Sequence, residues 1–492
     1  MDSNTTWRPE PSDYYDALSG QNPWHSLGYV PEGLSYKVGR LLTEKLWGAL
    51  ISDPARFEVV LGPRRVGKTV CLYQTIQRLI DHGIPPKRLW FMRMDHPLFL
   101  DFPLGGWVKS LLQHEKATAE KPLYLFLDEV NYSKRWDLWL KTFYDEKWPV
   151  QIVATSSSVA ALRNRRIESG IGRWSEQFLA PYNFLEYLNL ATASYKPPQT
   201  SSTLSESMSF AMQAATGGDA LSDTLNSYML VGGFPEILLN ELDPNDIQKS
   251  MLRSQQRLRS EAVQKVTGMD LPQVFHVQHP IELERLLYLL AGQMCGILSA
   301  NKLANTLSIT RQTITQYVEY LEKAFLVFTL PAYSNSEASI QRRGRKVYFV
   351  DGAVRNAALQ RGITPITDPN ERGFLVENMV ASHLYALSMQ NNTRLFHWRE
   401  KQQEVDFVYD NPSDQLAFEV TSASKHSLKG LNAFRERYPA FTDRCFLISS
   451  QSRTIETPQE NRDGIGRIPM DVFLIAVSGC IGKSLTSRLG GD

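Results

Sequence analysis

Hydrophobic positions along the chain fall into distinct regimes. From about residue 35 to residue 190, short apolar runs alternate with stretches whose apolar residues recur near every 3.6 positions. Phe57 to Leu61, Leu89 to Met94, Tyr124 to Leu127, Gln151 to Ala154 and Gln177 to Leu179 predict strands. Val38 to Ala49 and Thr69 to Ile80 predict helices, the second with Val70, Leu72, Ile76, Leu79 and Ile80 at helical spacing. Tyr124-Leu125-Phe126-Leu127 is apolar on both faces, as a central parallel strand should be. Strands alternating with helices argue for a parallel sheet covered on both sides. A Ser-, Thr- and Pro-rich stretch from Ala193 to Ser207 reads as a linker. Helical spacing then dominates to about Leu330. Beyond it the pattern is β-rich, at Val347 to Val350, Glu404 to Tyr409, Leu416 to Val420 and Cys445 to Ile448. Val472 to Val477 is far shorter than the ~20 residues a membrane-spanning helix needs and predicts a buried strand. The first 34 residues are polar but carry Trp7, Tyr14, Tyr15, Trp24 and Tyr29, as expected of an extension that packs its aromatic rings on a neighbour.

Composition narrows the class. At 492 residues the chain is long enough for roughly three domains. Apolar residues make up 42% and charged residues 21%, which argues against wholesale disorder. The formal net charge of +1 excludes a bulk polycation, yet a basic face on a neutral molecule still permits nucleic-acid binding. Four scattered cysteines show neither a zinc pattern nor a disulfide framework. His276 and His279 form an HxxH, but no third ligand accompanies it and a loop placement is expected. The N-terminus has no basic segment followed by an apolar one, so no signal peptide is expected, and a cytoplasmic location without a membrane partner follows.

The chemistry concentrates at Gly62-Pro63-Arg64-Arg65-Val66-Gly67-Lys68-Thr69, which matches G-x-x-x-x-G-K-[ST] between a predicted strand and a predicted helix. Glycines let successive amides curl around one point, and the following helix adds its positive end. Lys68 is expected to reach the β- and γ-phosphates of ATP, and the Thr69 hydroxyl to ligate Mg²⁺. Leu125-Phe126-Leu127-Asp128-Glu129 ends an apolar strand in two acids. Asp128 is the candidate for holding Mg²⁺ and Glu129 for the general base that polarises the attacking water. Hydroxyls at Ala154-Thr155-Ser156-Ser157-Ser158, with Ser156 taken as the nucleotide contact, sit at the end of the next strand. A Ser-rich turn without such a role is the plainer alternative. Among Arg163, Arg165, Arg166 and Arg173, Arg173 is chosen as the cation acting in trans on a neighbouring subunit's nucleotide, the alternative being a solvated basic loop.

The GPRRVGKT loop, the LFLDE strand, the ATSSS strand end and the GR–PYNFLEYL stretch resemble a prokaryotic family of AAA+-type ATPases with a C-terminal DUF4143 domain. Val231-Gly232-Gly233-Phe234-Pro235-Glu236, Val347 to Asp351, and Gly373 to Asn378 look like further marks of that family, so the resemblance spans roughly Val38 to Val477. It implies a nucleotide at a subunit interface and hence a homo-oligomeric, hexameric ring. The fold class expected is α/β, with a helical and winged-helix domain between two α/β domains. An N-terminal extension (1–34) precedes a P-loop parallel-sheet ATPase domain (35–192) and a linker or lid (193–225). A helical and winged-helix domain (226–345) and a C-terminal α/β restriction-endonuclease-like domain (346–492) complete the chain.

Leu303 to Leu321 reads as a helix-turn-helix with its turn at Ser308. The second helix would expose Arg311, Gln312, Thr315 and Gln316, types suited to phosphates and base edges. Arg342, Arg343, Arg345 and Lys346 form a basic run where a wing would lie. DNA is therefore the expected partner, and a winged helix used only for packing is the alternative. Glu404-Val405-Asp406-Phe407 and Phe418-Glu419-Val420-Thr421 look like the D…ExK core of restriction-endonuclease-like folds, with Glu377 as the upstream helical acid. Thr421 stands at the lysine position, and Lys425 would have to reach back, so a nuclease-like fold kept for binding or architecture is expected ahead of an active nuclease, an unrelated β-rich domain being the other alternative.

Three functions are open at this point: an ATP-driven motor on branched or duplex DNA, with branch migration or helicase activity; an ATP-regulated, Mg²⁺-dependent nuclease; and a non-enzymatic ATP-dependent switch. The water-activating acid Glu129 argues against the last.

Overall fold

The computed structural model describes residues 11–36, 39–52, 56–100, 102–157, 172–191, 195–215, 221–241, 247–275 and 277–486. Two compact units emerge. The first comprises residues up to 62 together with 67–179, and the second comprises 63–66 together with the chain from 180 onward.

The first unit is built on five parallel strands. These are β1 (Phe57–Leu61), β2 (Leu89–Arg93), β3 (Leu123–Asp128), β4 (Val150–Ser156) and β5 (Trp174–Phe178), in the order β2-β3-β4-β1-β5. β1 is buried along its whole length, which explains why its sequence shows no alternation. The helix Lys68–Asp81 follows β1 and buries Cys71, Leu72, Ile76 and Leu79. The expected second strand, third strand and Thr69 helix fall within a residue or two of these bounds.

β2 is an edge strand, and the N-terminal extension covers it. The Asn22 side chain both accepts from Phe91 N–H (2.6 Å) and donates to Phe91 C=O (3.0 Å). Trp24 Nε1 donates to Leu89 C=O at 2.9 Å, and Gln21 Oε1 accepts from Arg93 N–H at 2.8 Å. Trp24 is fully buried. These three side chains thus do what another strand would do, and the edge is closed.

The second unit holds a helical region, a helix-turn-helix with a hairpin, and a mixed sheet. β6 (Val327–Leu330) and β7 (Lys346–Phe349) pair antiparallel after the helices Ala300–Leu307 and Arg311–Lys323. The C-terminal sheet runs β12-β11-β10-β9-β8, from β8 (Arg394–Glu400), β9 (Gln403–Asp410), β10 (Leu416–Thr421), β11 (Cys445–Ser449) and β12 (Gly466–Pro469). β8, β9 and β10 are antiparallel neighbours, and β10, β11 and β12 are parallel. One face buries Trp398, Val405, Val408, Ala417, Leu431, Phe434 and Phe441. The other meets the helix Met470–Thr486 through Phe418 and Phe473, whose rings lie 5.1 Å apart.

That helix corrects one expectation. Val472 to Val477 is not a strand but the middle of Met470–Thr486. All six residues are buried, so the helix is apolar all round and shows no 3.6-residue stripe. The segment expected as a linker contains the helix Leu204–Ala215, which packs on Met470–Thr486 and is capped by Asp414 accepting from the Leu204 and Ser205 amides.

The VGGFPE mark has a local cause. Gly232 holds φ of +70°, and Gly233 lies so close to Tyr182 that Tyr182 N–H donates to Gly233 C=O at 2.6 Å. Gly233 N–H in turn donates to Asp351 Oδ2 at 2.7 Å, and Asp351 also caps the helix Gly352–Leu359 through Ala353 N–H. Asn378 brackets Phe349 of β7, accepting from its N–H (2.8 Å) and donating to its C=O (3.1 Å).

His383 is buried with Nδ1 2.8 Å from Met379 C=O and Nε2 accepting from Phe184 N–H at 2.9 Å. Nδ1–H donates to Met379 in either charge state, but Nε2 can accept from Phe184 only in the neutral ring. Burial pushes its pKa down to about 4. A histidine lowered on folding stabilises the protein above the ordinary value near 6.5, and the contribution is lost as pH falls toward 4. Acidification from pH 7 to pH 4 should therefore cost about 3 kcal/mol through His383 alone. Urea melts at both pH values check this: His383→Gln should show a shallower acid loss than the parent, and an identical slope would refute it.

Candidate nucleotide-binding site

The sheet order dictates the site. β4 lies between β1 and β3, so the hydroxyls ending β4 stand between the phosphate loop after β1 and the acids ending β3. Parallel register sets Leu127 beside Ala154 and Leu61 beside Ser156. All of these groups therefore emerge at one sheet edge. Gly67, at φ of +89°, turns the chain into the Lys68–Asp81 helix.

Lys68 is 5% exposed; its Nζ lies 3.2 Å from Gly62 C=O and 3.8 Å from Glu129 Oε1. Thr69 Oγ1 donates to Asp128 Oδ2 at 2.9 Å. Thr155 donates to Asp128 Oδ1 at 2.6 Å and accepts from Glu129 N–H at 2.9 Å. Ser157 reaches Glu129 Oε2 through its amide (3.2 Å) and its hydroxyl (2.9 Å). Burial, followed by the neighbouring Glu129 charge, lifts the Asp128 carboxyl to about 6. A hydroxyl and a carboxylate oxygen meeting at one point are hard oxygen donors of the kind Mg²⁺ takes, so the residues present fit a magnesium nucleotide.

Sequence reasoning placed the hydroxyl role on Ser156. Here Ser156 Oγ is turned to Asn131 at 3.1 Å, and Thr155 ties the two acids together. The signal was present in the ATSSS run, but choosing among its members needed the register. The loop tip, Pro63 to Val66, groups with the second unit. There Arg64 pairs with Asp270 (3.1 Å), and Arg65 pairs with Glu236 and Glu261 (2.8 Å each).

Comparison with known proteins agrees with this geometry. Residues 55–188 match the family model described as AAA domain. Residues 222–364 and 372–470 match two domains of unknown function, DUF8612 and DUF4143. The chain carries an AAA domain followed by a DUF4143 domain. Two uncharacterized proteins of Methanocaldococcus jannaschii are similar to it. One is 26% identical over 400 residues, covering 80% of this chain and 81% of the relative. The other is 25% identical over 386 residues, covering 76% and 77%. An uncharacterized protein of Haemophilus influenzae is 20% identical over 401 residues, covering 78% of this chain and 88% of that one. The solved structure of C. elegans PCH-2 is 16% identical and covers 49% of this chain and 73% of its own, at a TM-score of 0.24. So loose a likeness carries no argument, and the AAA assignment rests on the family match and the sheet.

Within the AAA domain, Arg173 stands just before β5, and its C=O accepts from Phe57 N–H. That is the amino edge of the sheet, roughly 15 Å along β1 from the phosphate loop. Its guanidinium grips Asp145 at 2.7 and 3.0 Å. Arg163, Arg165, Arg166 and Ser158 lie outside the described residues, as does His276.

The DUF4143 region and the module before it hold the other candidates. Ser308, at φ of +56°, ends the first helix of the helix-turn-helix, and Thr310 caps the second by accepting from Thr313 N–H. Ile314, Val318 and Leu321 are buried, while Arg311, Gln312, Thr315 and Gln316 are exposed. Arg342, Arg343 and Arg345 are exposed on the β6–β7 connection. Lys346 departs from that run and is buried. Its Nζ meets Glu377, Glu404 and Asp406, while Glu419 pairs with His426 at 3.0 Å. Thr421, at the expected lysine position, is buried and accepts from Ala423 N–H. No helix among the described residues is long and apolar enough to cross a membrane.

Proposed function

We propose that the chain hydrolyses ATP with Mg²⁺ and couples turnover to the remodelling of duplex or branched DNA, working as an oligomeric AAA+ ring. The observation that carries the reading is the convergence of Lys68, Thr69, Asp128, Glu129 and Thr155 at one sheet edge. Lys68 and the loop amides bind the β- and γ-phosphates. Thr69 and Asp128 would hold the magnesium, which supplies charge neutralisation on the phosphate oxygens when bound. Ser157 fixes one oxygen of Glu129, and the carboxylate takes a proton from the attacking water. Arg173, paired to Asp145 in its own chain, could meet only a nucleotide held by another copy.

The DNA part is supported by one exposed arginine, Arg311, at the start of the second helix and by the exposed basic turn of Arg342, Arg343 and Arg345 on the same module. Arg311→Ala with Arg342→Ala and Arg343→Ala should weaken duplex binding. The slope of log affinity against log salt should fall by about 0.9 for each phosphate contact removed. ATPase rates with single-stranded, duplex, forked and four-way DNA, beside mass measurement with and without nucleotide, test the whole. A rate indifferent to every DNA, with hydrolysis intact, would reject DNA as the partner. A particle that stays monomeric with ATP bound would reject the ring.

A further inference from the structure

The acids expected of a nuclease core do not point at a shared vacancy. They are already engaged by groups of the protein itself. Lys346 leaves β7 with only 4% of its side chain exposed, and its ammonium lies 3.0 Å from Glu377 Oε1, 3.2 Å from Asp406 Oδ1 and against Glu404 Oε1. The Tyr348 hydroxyl, two residues along the strand, donates to the same Glu377 oxygen at 2.7 Å. Asp406 Oδ2 accepts from Val420 N–H at 2.9 Å. Glu419 is taken by His426 on one oxygen, and the other lies so near Gly430 that a Cβ there would sit 2.1 Å away. Among the described residues, no three His, Cys, Asp or Glu side chains are grouped to hold a metal ion.

The residues thus do not fit the divalent metal that a restriction-endonuclease-like core implies. A second cation would have to displace the ammonium or lie beside it, and a buried charge with like charge next to it is costly. We infer that Lys346 is the resident cation of this acid set, and that the set is a joint fastening β7 to the helix Pro369–Asn391 and to β9 rather than a phosphodiester-cleaving centre. The joint also has a reach. Lys346 follows Arg345 directly, so the ammonium fixes the root of the turn that carries Arg342, Arg343 and Arg345.

Burial supports the same picture. Burial first, and the neighbouring Asp406 charge second, push the Glu377 carboxyl up, which lightens the negative charge that the single ammonium balances.

The test uses full-length chain carrying Asp128→Asn, which removes the magnesium carboxylate of the AAA domain, with no nucleotide present. Mn²⁺ is titrated and followed by electron paramagnetic resonance, and supercoiled plasmid is incubated with Mg²⁺ or Mn²⁺. The expected result is no site tighter than about millimolar and intact plasmid. Lys346→Met on the same background should lower Tm by roughly 10 °C. Millimolar Mn²⁺ should then restore part of that loss, because the vacated carboxylates take the ion and binding stabilises the folded form. A micromolar Mn²⁺ site that disappears with Asp406→Ala would overturn the inference, as would plasmid cleavage abolished by the same change. So would a Lys346→Met protein whose Tm matches the parent or is indifferent to Mn²⁺.

Discussion

Glu129→Gln is expected to lower ATP hydrolysis by about two to four orders of magnitude while leaving nucleotide bound. The substitution keeps the shape of the side chain. A glutamine carbonyl can still accept from the Ser157 amide and hydroxyl, which hold the native carboxylate at 3.2 and 2.9 Å. The main-chain bond from residue 129 to Thr155 is independent of the side chain. In the proposed roles Lys68 remains to grip the phosphates, and Thr69 and Asp128 remain to hold the magnesium. What disappears is the capacity to take a proton, so the loss should fall on turnover and spare affinity. Single-turnover phosphate release, read beside retention of a fluorescent ATP analogue, separates the two. An unchanged rate would remove Glu129 from the base role. Lost retention would mean that the carboxylate shapes the pocket and does not act in the chemistry.

The second large effect is on folding. Gly233→Ala places a Cβ 2.2 Å from the Tyr182 carbonyl oxygen and 2.8 Å from its nitrogen. Both are main-chain atoms, so no rotamer change relieves the contact. Tyr182 cannot retreat freely either, because its N–H is bonded to Gly233 C=O and its C=O accepts from the Tyr228 hydroxyl at 2.7 Å. Movement of residue 233 itself would break its bond to Asp351, whose other oxygen caps the helix Gly352–Leu359. The expected cost is above about 3 kcal/mol, at the severe end for one methyl group. Thermal and urea melts of the full chain measure it. A loss below about 1 kcal/mol would show that the strand-like contact between Tyr182 and Gly233 is slack.

The phosphate loop and the acid pair were legible in the sequence because their chemistry is local. A glycine-rich turn between strand and helix, and two acids at a strand end, each occupy a few adjacent positions. The helix-turn-helix was legible for the same reason, since Ser308 and Thr310 lie beside the turn they make. Thr155 was harder. Its neighbour Ser156 carries the same type of group, and only the β3–β4 register shows which hydroxyl faces Asp128. Lys346 was missed because it closes a run of exposed cations, RRGRK, and nothing nearby in sequence announces its partners at 377, 404 and 406. It opens a strand buried along its whole length, and that burial depends on a pairing with β6 that a single chain of letters does not display. The Val472–Val477 error has the opposite cause, since a short run buried on every side looks alike in either secondary structure.

The polar side chains that close β2 bear on how this protein can be cut. Family similarity to the AAA domain begins at residue 55, so a fragment starting there would be a natural choice for isolating the ATPase. Such a fragment would lack Gln21, Asn22 and Trp24, and the amides and carbonyls of Leu89, Phe91 and Arg93 would face water in a row. An uncovered row of that kind is a template for copies of itself. The shortened piece should gather into sheet-rich aggregates, visible as thioflavin fluorescence and rising light scatter, where the piece beginning at Pro11 stays dispersed.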